Sequence, residues 1–109
     1  MKLEGNQVFN AIIDFLNYYN EEIGNEDEIN KTIKIIEDNK DSFISKNYSE
    51  LEAYKEMFNT LDKIFDEKQY GELGVLLSEM ELLSDGDSAD SAALEDWISI
   101  VKQVVNQES

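Results

Sequence analysis

The sequence predicts an all-α protein, a compact bundle of about five helices forming a single domain over residues 1–109. None of these residues is proline, so no helix loses a backbone donor to an imino acid. Apolar residues recur at three- and four-residue spacing through most of the chain, which is the helical period. The hydrophobic fraction of 41% is that of a folded domain, although a net charge of -16 taken by itself would also suit disorder.

The first two helices are separated by a glycine. The apolar face of the first consists of Val8, Ile12, Phe15, Leu16 and Tyr19. Gly24 is expected to end this helix, because glycine adopts the left-handed C-terminal conformation without a steric penalty. Asn25 and Glu28 have the spacing of a capping box. They predict a second helix that extends to about Asn39.

The third helix has the clearest start signal in the chain. A turn around Asp41 precedes it, and Ser49 and Glu52 then form a capping box. Its wide apolar stripe is Leu51, Tyr54, Met57, Phe58, Leu61, Ile64 and Phe65. Gly71 is expected to permit the turn that follows.

A fourth and a fifth helix account for the remaining apolar residues. The fourth carries Leu73, Val75, Leu76, Leu77, Met80 and Leu83, and Gly86 is expected to terminate it. Asp90 or Ser91 is expected to cap the fifth helix, since both side chains accept hydrogen bonds from free amides. The inward face of the fifth helix is Leu94, Trp97, Ile98, Val101, Val104 and Val105.

The composition excludes several classes of function. The chain has 25 acidic residues and nine basic ones, with no histidine, no cysteine and, among the basic residues, only lysine. It therefore lacks the usual general base near neutral pH, the guanidinium clamp and thiolate chemistry. We expect no enzyme and no cofactor. A basic stripe for direct nucleic-acid binding is also missing, so a basic partner is expected instead.

The ends and the hydropathy of the chain predict its location. The N-terminal stretch MKLEGNQVFNAIIDFLNYY interrupts its apolar positions with polar ones, unlike a signal peptide. No apolar run approaches the roughly 20 residues that span a bilayer. We therefore expect a cytoplasmic protein that does not associate with membranes.

The acidic stretch DGDSAD at residues 85–90 invites comparison with an EF-hand loop. If Asp85 takes the first position, Ala89 falls at the fifth and Asp90 at the sixth, where the sharp turn needs glycine. Asp96 rather than glutamate falls at the twelfth position. The pattern fails at its most demanding positions, so we expect no metal and interpret the stretch as a helix junction.

Residues 72–97, ELGVLLSEMELLSDGDSADSAALEDW, resemble a C-terminal signature of the form DLGxLLxxMxLLxDGxPxDPAxWxDW. The family that carries it comprises small immunity proteins of contact-dependent growth inhibition and related bacterial polymorphic toxin systems. An FLExYY-like stretch precedes the signature in that family, and FLNYYNEE at residues 15–22 is similar to it. Ser88, Ser91 and Leu94 stand where the family has proline, proline and tryptophan. Residues 25–70 form an additional central segment.

The resemblance implies an immunity protein that binds and neutralises the C-terminal toxin domain, often a nuclease, of a cognate effector. Acidity fits this role independently, since carboxylates can occupy a cleft built for phosphates and can steer association. Two other functions are alternatives to the immunity protein. One is an acidic nucleic-acid mimic that inhibits another nuclease or nucleic-acid-binding protein. The other is a carboxylate-based enzyme or metal protein.

Two acidic patches are the candidate partner-binding sites. The first is the helix junction with Asp85, Asp87, Asp90, Glu95 and Asp96. The second is the first interhelical turn with Glu21, Glu22, Glu26, Asp27 and Glu28. Possible aromatic anchors, which are favoured at interface centres, are Tyr18, Tyr19, Tyr48, Tyr54 and Tyr70. Trp97 has the spacing of a core residue.

Overall fold

The computed structural model describes residues 2–44 and 46–108, so Met1, Ser45 and Ser109 of the predicted domain lie outside it. The described elements are, in order, β1 (Lys2–Glu4), α1 (Gly5–Ile23), α2 (Asp27–Asp38), α3 (Asp41–Ile44), β2 (Asn47–Ser49), α4 (Glu50–Lys68), α5 (Gly71–Met80) and α6 (Ser91–Glu108). The prediction of a helical bundle is confirmed. None of the described helices is long and apolar enough to cross a membrane.

Trp97 of α6 lies at the centre of the core. Its ring centroid is 6.0 Å from that of Phe15 in α1 and 6.3 Å from that of Tyr54 in α4, both in edge-on geometry. The indole N–H donates a hydrogen bond of 3.2 Å to the backbone oxygen of Glu50. One fully buried side chain thus joins three helices, and the prediction of a core role for Trp97 is confirmed.

The start of α2 differs from the predicted capping box. Asn25 adopts a left-handed conformation with φ 66°, and Glu26 takes the N-cap position. The buried amide of Asn20 organises this turn, because its oxygen accepts a 2.7 Å hydrogen bond from the Glu26 backbone. Glu28 reaches to another helix, and its carboxylate accepts a 3.1 Å hydrogen bond from the Glu72 backbone N–H in the first turn of α5. The predicted box was wrong because a tertiary partner competes for Glu28.

Replacing Glu28 with alanine should lower the free energy of unfolding by about 1 kcal/mol, the usual cost of losing a helix cap. Glu26→Ala is the matched control, since the Glu26 side chain is exposed and makes no capping hydrogen bond. Urea unfolding of both variants measures the difference. Equal stability of the two variants would show that the contact between Glu28 and α5 contributes nothing.

A two-stranded sheet closes the bundle beside α1, and the sequence did not predict it. β1 pairs with β2 in antiparallel register, with Leu3 opposite Tyr48. Both side chains point inward and are 1% and 7% exposed. Each strand has one inward residue, which is too short a pattern to show strand alternation. The predicted turn around Asp41 contains the single helical turn α3.

Two buried tyrosines differ in how their hydroxyl groups are satisfied. The Tyr54 hydroxyl donates a 2.7 Å hydrogen bond to the Met80 backbone oxygen. The Tyr48 hydroxyl is buried and has no hydrogen-bond partner among the described residues. A buried polar group without a partner destabilises the fold, whereas a satisfied one contributes modestly.

Phenylalanine substitutions at these two tyrosines should therefore differ in their effect on the free energy of unfolding. Tyr54→Phe should lower the free energy of unfolding by about 1 kcal/mol, because the Met80 carbonyl loses its donor. Tyr48→Phe should leave it unchanged or raise it by up to about 1 kcal/mol. Urea titrations of the two variants make the comparison, and a larger loss for Tyr48→Phe would contradict it.

The capping box of α4 is confirmed, but the turn after α4 lies earlier than predicted. The Glu52 N–H donates to the Ser49 hydroxyl at 3.1 Å, and the Ser49 N–H donates to the Glu52 carboxylate at 2.9 Å. Gln69, with φ 57°, is the left-handed residue that ends α4. Its side-chain amide donates to two carbonyl groups of the last turn. Gly71 is already the first residue of α5.

The fourth predicted helix ends sooner than expected, at Met80. Residues 81–90 form a tight reversal that we call the acidic hairpin. The N–H of Leu83 donates to the oxygen of Asp87, and that of Ala89 donates to Glu81, both at 2.7 Å. Gly86, with φ 86°, lies within this reversal and does not terminate a helix. Leu83 consequently leaves the core and is 49% exposed.

Candidate functional site

An open groove of about 240 Å³ lies between the second half of α1, α5 and the start of α6. Four carboxylates line it, those of Glu22, Glu79, Asp90 and Asp96. Its aromatic and apolar lining includes Tyr18, Tyr19, Phe15, Leu76 and Ala93. We call this surface the acidic groove. It combines negative charge with an apolar floor, as sites for long basic side chains do.

Helical spacing explains why these residues share one surface. On α1, Tyr18 and Glu22 are four residues apart and therefore adjacent on one face. On α5, Leu76 and Glu79 are three residues apart. Asp90 immediately precedes α6, and its carboxylate accepts a 3.0 Å hydrogen bond from the Ala92 N–H. This confirms the prediction that Asp90 caps the last helix.

The carboxylates of the groove repel one another. Burial raises the pKa of Glu79, and the charges of Asp90 and Glu22 raise it further. Burial likewise raises the pKa of Asp96, with added repulsion from Glu22, Glu95 and Asp90. Like charges are thus held together at the expense of stability, since each favours the neutral form of its neighbour.

Two tyrosines take part in the same electrostatic cluster. A hydrogen bond with the Glu22 carboxylate raises the pKa of the Tyr18 hydroxyl, and the charges of Asp96 and Glu22 add to the shift. Burial raises the pKa of Tyr19 to about 12, together with the charges of Glu79 and Glu72. Tyr18 is 42% exposed despite its size. It presents an aromatic ring and a hydroxyl beside the carboxylates.

The groove lies where the two lysine-free parts of the chain meet. Residues 3–30 contain seven acidic residues and no lysine, and residues 69–101 contain eight and no lysine. All the residues that line the groove come from these two ranges. Residues 31–68 instead hold seven of the nine lysines. The groove is therefore acidic, with no lysine among the described residues that line it.

Three of the ten predicted partner-binding residues line the groove, and they come from both predicted patches. Glu22 belongs to the interhelical patch, whereas Asp90 and Asp96 belong to the junction patch. Glu21, Glu26 and Glu95 are exposed but do not line the groove. The two patches, 57 or more residues apart in sequence, thus contribute to one surface.

The other four predicted residues make local contacts. The Asp85 carboxylate accepts a 3.0 Å hydrogen bond from the Asp87 N–H, and the Asp87 carboxylate accepts one of 2.8 Å from Ser88. Asp27 forms an exposed ion pair with Lys31 at 3.1 Å. Glu28 caps α5, as described above. Asp85 and Asp87 therefore shape the acidic hairpin that borders the groove.

Sequence reasoning missed Glu79, whose carboxylate lies in the groove. The signal that would have found it is the absence of lysine around it, combined with its three-residue spacing from Leu76. Among the suggested aromatic anchors, Tyr18 and Tyr19 line the groove. Tyr48 and Tyr54 are buried, so their suggested role as surface anchors was wrong.

The groove offers oxygen acceptors and aromatic faces. Such groups bind an ammonium or guanidinium group through charge-assisted hydrogen bonds and cation–π contacts. Among the described residues, no group of three or more acidic side chains converges in a way that could hold a metal ion. The arrangement suits a basic side chain of a partner, with its aliphatic stem over the apolar floor.

Stability should fall as the pH rises above the ordinary carboxylate pKa values of 3.8 for aspartate and 4.5 for glutamate. The pKa values of Glu79, Asp96 and Asp14 are raised in the folded state, mainly by burial, so the folded chain holds these protons more tightly than the unfolded chain. Their contribution is complete below the unfolded pKa values and is lost as the pH rises through the folded ones. Hydrogen bonds from Ser49 lower the pKa of Glu52, so the contribution of Glu52 to stability has the opposite pH dependence. That contribution is complete above the ordinary glutamate pKa of 4.5 and changes only below it.

Urea unfolding at about pH 5 and at about pH 7.5 measures this dependence of stability on pH. The double variant Glu79→Gln/Asp96→Asn should show a smaller decrease in stability between them, because two of the responsible protons are absent. A midpoint that rises with pH in the unsubstituted protein would contradict the expected sign.

Comparison with known proteins gave no match to a family model, to a curated protein or to a solved structure.

Proposed function

We propose that this chain is an immunity protein. It binds and neutralises the C-terminal toxin domain, a nuclease, of a cognate contact-dependent growth inhibition effector. The observation that carries the proposal is the acidic groove, in which Glu22, Glu79, Asp90 and Asp96 lie together with no lysine among the described lining residues. The signature at residues 72–97, which supplies three of these carboxylates, gives the proposal its particular partner.

The chemistry of a nuclease makes it a suitable partner. A nuclease binds a phosphate backbone with lysine and arginine side chains in a concave basic surface. Clustered carboxylates can take the place of the phosphates and can speed association by electrostatic steering. The cost of holding four carboxylates together in the free protein is recovered when a basic partner neutralises them. Binding sites typically keep residues, such as these mutually repelling carboxylates, that destabilise the free protein.

Inhibition is stoichiometric and requires no catalytic step by the immunity protein. The groove is small, so it accepts one or two basic side chains, and the acidic hairpin that borders it supplies the remaining interface. The proposed place of action is the cytoplasm, where a delivered nuclease meets nucleic acid. Binding should weaken as the salt concentration rises, since exposed charge pairs are screened.

The proposal predicts that a large effector is encoded directly upstream of this chain, and the test is co-expression with the C-terminal domain of that effector. Growth should stop when the toxin domain is produced alone and should be restored when this protein is produced with it. Calorimetry of the purified pair should give one-to-one binding with a dissociation constant in the nanomolar range. Absence of both rescue and binding would contradict the proposal. Binding to an unrelated nuclease but not to the upstream domain would favour the nucleic-acid mimic.

A further inference from the structure

A second groove, of about 310 Å³, is lined in part by the first residues of the acidic hairpin. It runs between α4 and the residues that follow α5. Its lining is Tyr54, Lys55, Phe58, Asn59, Glu81 and Leu82. We call this surface the α4 groove. Unlike the acidic groove, it has apolar walls with a single carboxylate.

Apolar side chains remain exposed around the α4 groove. Leu51 lies one turn before Lys55 on α4, on the same helical face, and is 46% exposed. Leu83 follows Leu82 and is 49% exposed. Phe58 is half-buried against the core. Phe58 and Leu82 thus give the α4 groove an apolar lining that Leu51 extends along α4, and apolar surface rimmed by polar groups is a candidate site for a partner.

The charge around the α4 groove specifies the kind of occupant. Glu81 lines the groove, and the adjoining turn of the hairpin carries Asp85 and Asp87. Asp87 is close enough that its charge contributes to raising the pKa of the Tyr54 hydroxyl, after burial. Lys55 is the one cation among the described residues lining the groove. A second copy of this chain would bring acidic hairpins together, so charge complementarity favours a basic partner.

We propose that the α4 groove receives one apolar side chain, aromatic or long aliphatic, that projects from the basic surface of the toxin. This inference rests on the proposed function for the identity of the partner. The acidic hairpin contributes to both grooves: Asp90 lines the acidic groove, whereas Glu81 and Leu82 line the α4 groove. One interface therefore combines an apolar anchor with flanking charge pairs, as in the energetic centres of many complexes.

Two synthetic peptides separate the contributions of the two grooves. One is acetylated and amidated Lys-Lys-Trp-Lys-Lys, and the other has alanine in place of tryptophan. Each is titrated into the ¹⁵N-labelled full chain, and backbone amide shifts are followed. The alanine peptide should shift the amides of Glu22, Glu79 and Asp96. The tryptophan peptide should also shift those of Phe58 and Leu82 and bind roughly tenfold more tightly.

Variants of the chain give the matched comparison. Leu82→Ala should reduce the affinity of the tryptophan peptide to that of the alanine peptide. Val75→Ala should leave it unchanged, because Val75 is 49% exposed but does not line the α4 groove. Lys55→Gln, a change at an exposed position that leaves the core intact, should tighten binding of the tryptophan peptide by removing a like charge.

The outcomes distinguish failure of this inference from failure of the proposed function. Shifts at Phe58 and Leu82 that only the tryptophan peptide causes would support the inference, even if the alanine peptide bound nowhere. Identical shifts from both peptides, confined to the acidic groove, would overturn the inference and leave the acidic groove as the binding site. Binding by neither peptide would overturn the inference and count against the acidic groove as well.

Discussion

Trp97→Ala should lower the free energy of unfolding by about 3–5 kcal/mol. The indole is fully buried, lies edge-on to Phe15 and Tyr54, and donates to the Glu50 carbonyl. Its removal leaves a cavity where three helices meet and an acceptor without its donor. Since a domain of this size is stable by only about 5–15 kcal/mol, we expect a large fall in the urea midpoint or loss of cooperative unfolding.

Trp97→Phe is the control for this prediction. Phenylalanine keeps an aromatic ring between Phe15 and Tyr54 but cannot donate to Glu50, so a cost of about 1–2 kcal/mol is expected. Circular dichroism should show native helix content for Trp97→Phe. If Trp97→Ala lost less than about 1 kcal/mol, the indole would not be the centre of the core.

Neutralising the acidic groove should weaken toxin binding and strengthen the fold at the same time. The groove variant E22Q/E79Q/D96N removes three carboxylates that repel one another in the free protein. It should therefore unfold at a higher urea concentration near neutral pH than the unsubstituted chain. It should bind the toxin domain at least about 100-fold more weakly, since charge pairs at interfaces are often coupled by several kcal/mol.

The control variant E21Q/E95Q/D62N has the same net charge and the same types of substitution. Glu21 and Glu95 neighbour groove residues in sequence but do not line the groove, and Asp62 is exposed on α4. The dissociation constant of this variant for the toxin domain should lie within about threefold of that of the unsubstituted chain. The remaining difference reflects the lower net negative charge, which weakens long-range attraction. Equal weakening by both variants would mean that overall charge, and not the groove, governs binding.

The helices were predictable from sequence where local signals act without competition. The box formed by Ser49 and Glu52, the cap at Asp90 and the C-terminal glycine at Gly24 involve neighbours within a few residues. Such contacts form wherever the chain folds into a helix, so their spacing is sufficient. The burial of Trp97 also followed from helical periodicity.

The predictions that were wrong involve partners distant in sequence. Glu28 has the spacing of a local cap, yet its carboxylate serves the Glu72 amide 44 residues away. The apolar run to Leu83 suggested a longer helix, but the hydrogen bonds between residues 79–83 and 87–90 end α5 at Met80. Helix propensity does not reveal such competition, because the local and the tertiary arrangement are equally compatible with it.

The candidate site was predictable only in part for the same reason. Both acidic patches were evident from sequence, but their convergence depends on α6 packing against both α1 and α5. Glu79 was missed because it lies within an apolar helix and belongs to no acidic run. The distribution of lysine, absent from residues 3–30 and 69–101, was available in the sequence and marks the same face.

The most direct test of the acidic groove as the binding site is a backbone amide shift map of the ¹⁵N-labelled chain with the unlabelled toxin domain. We expect the largest changes at Tyr18, Glu22, Glu79 and Asp96, with the remainder around the acidic hairpin. Changes confined to the lysine-bearing face formed by α2 and α4, with the groove amides unmoved, would contradict the acidic groove as the site of toxin binding.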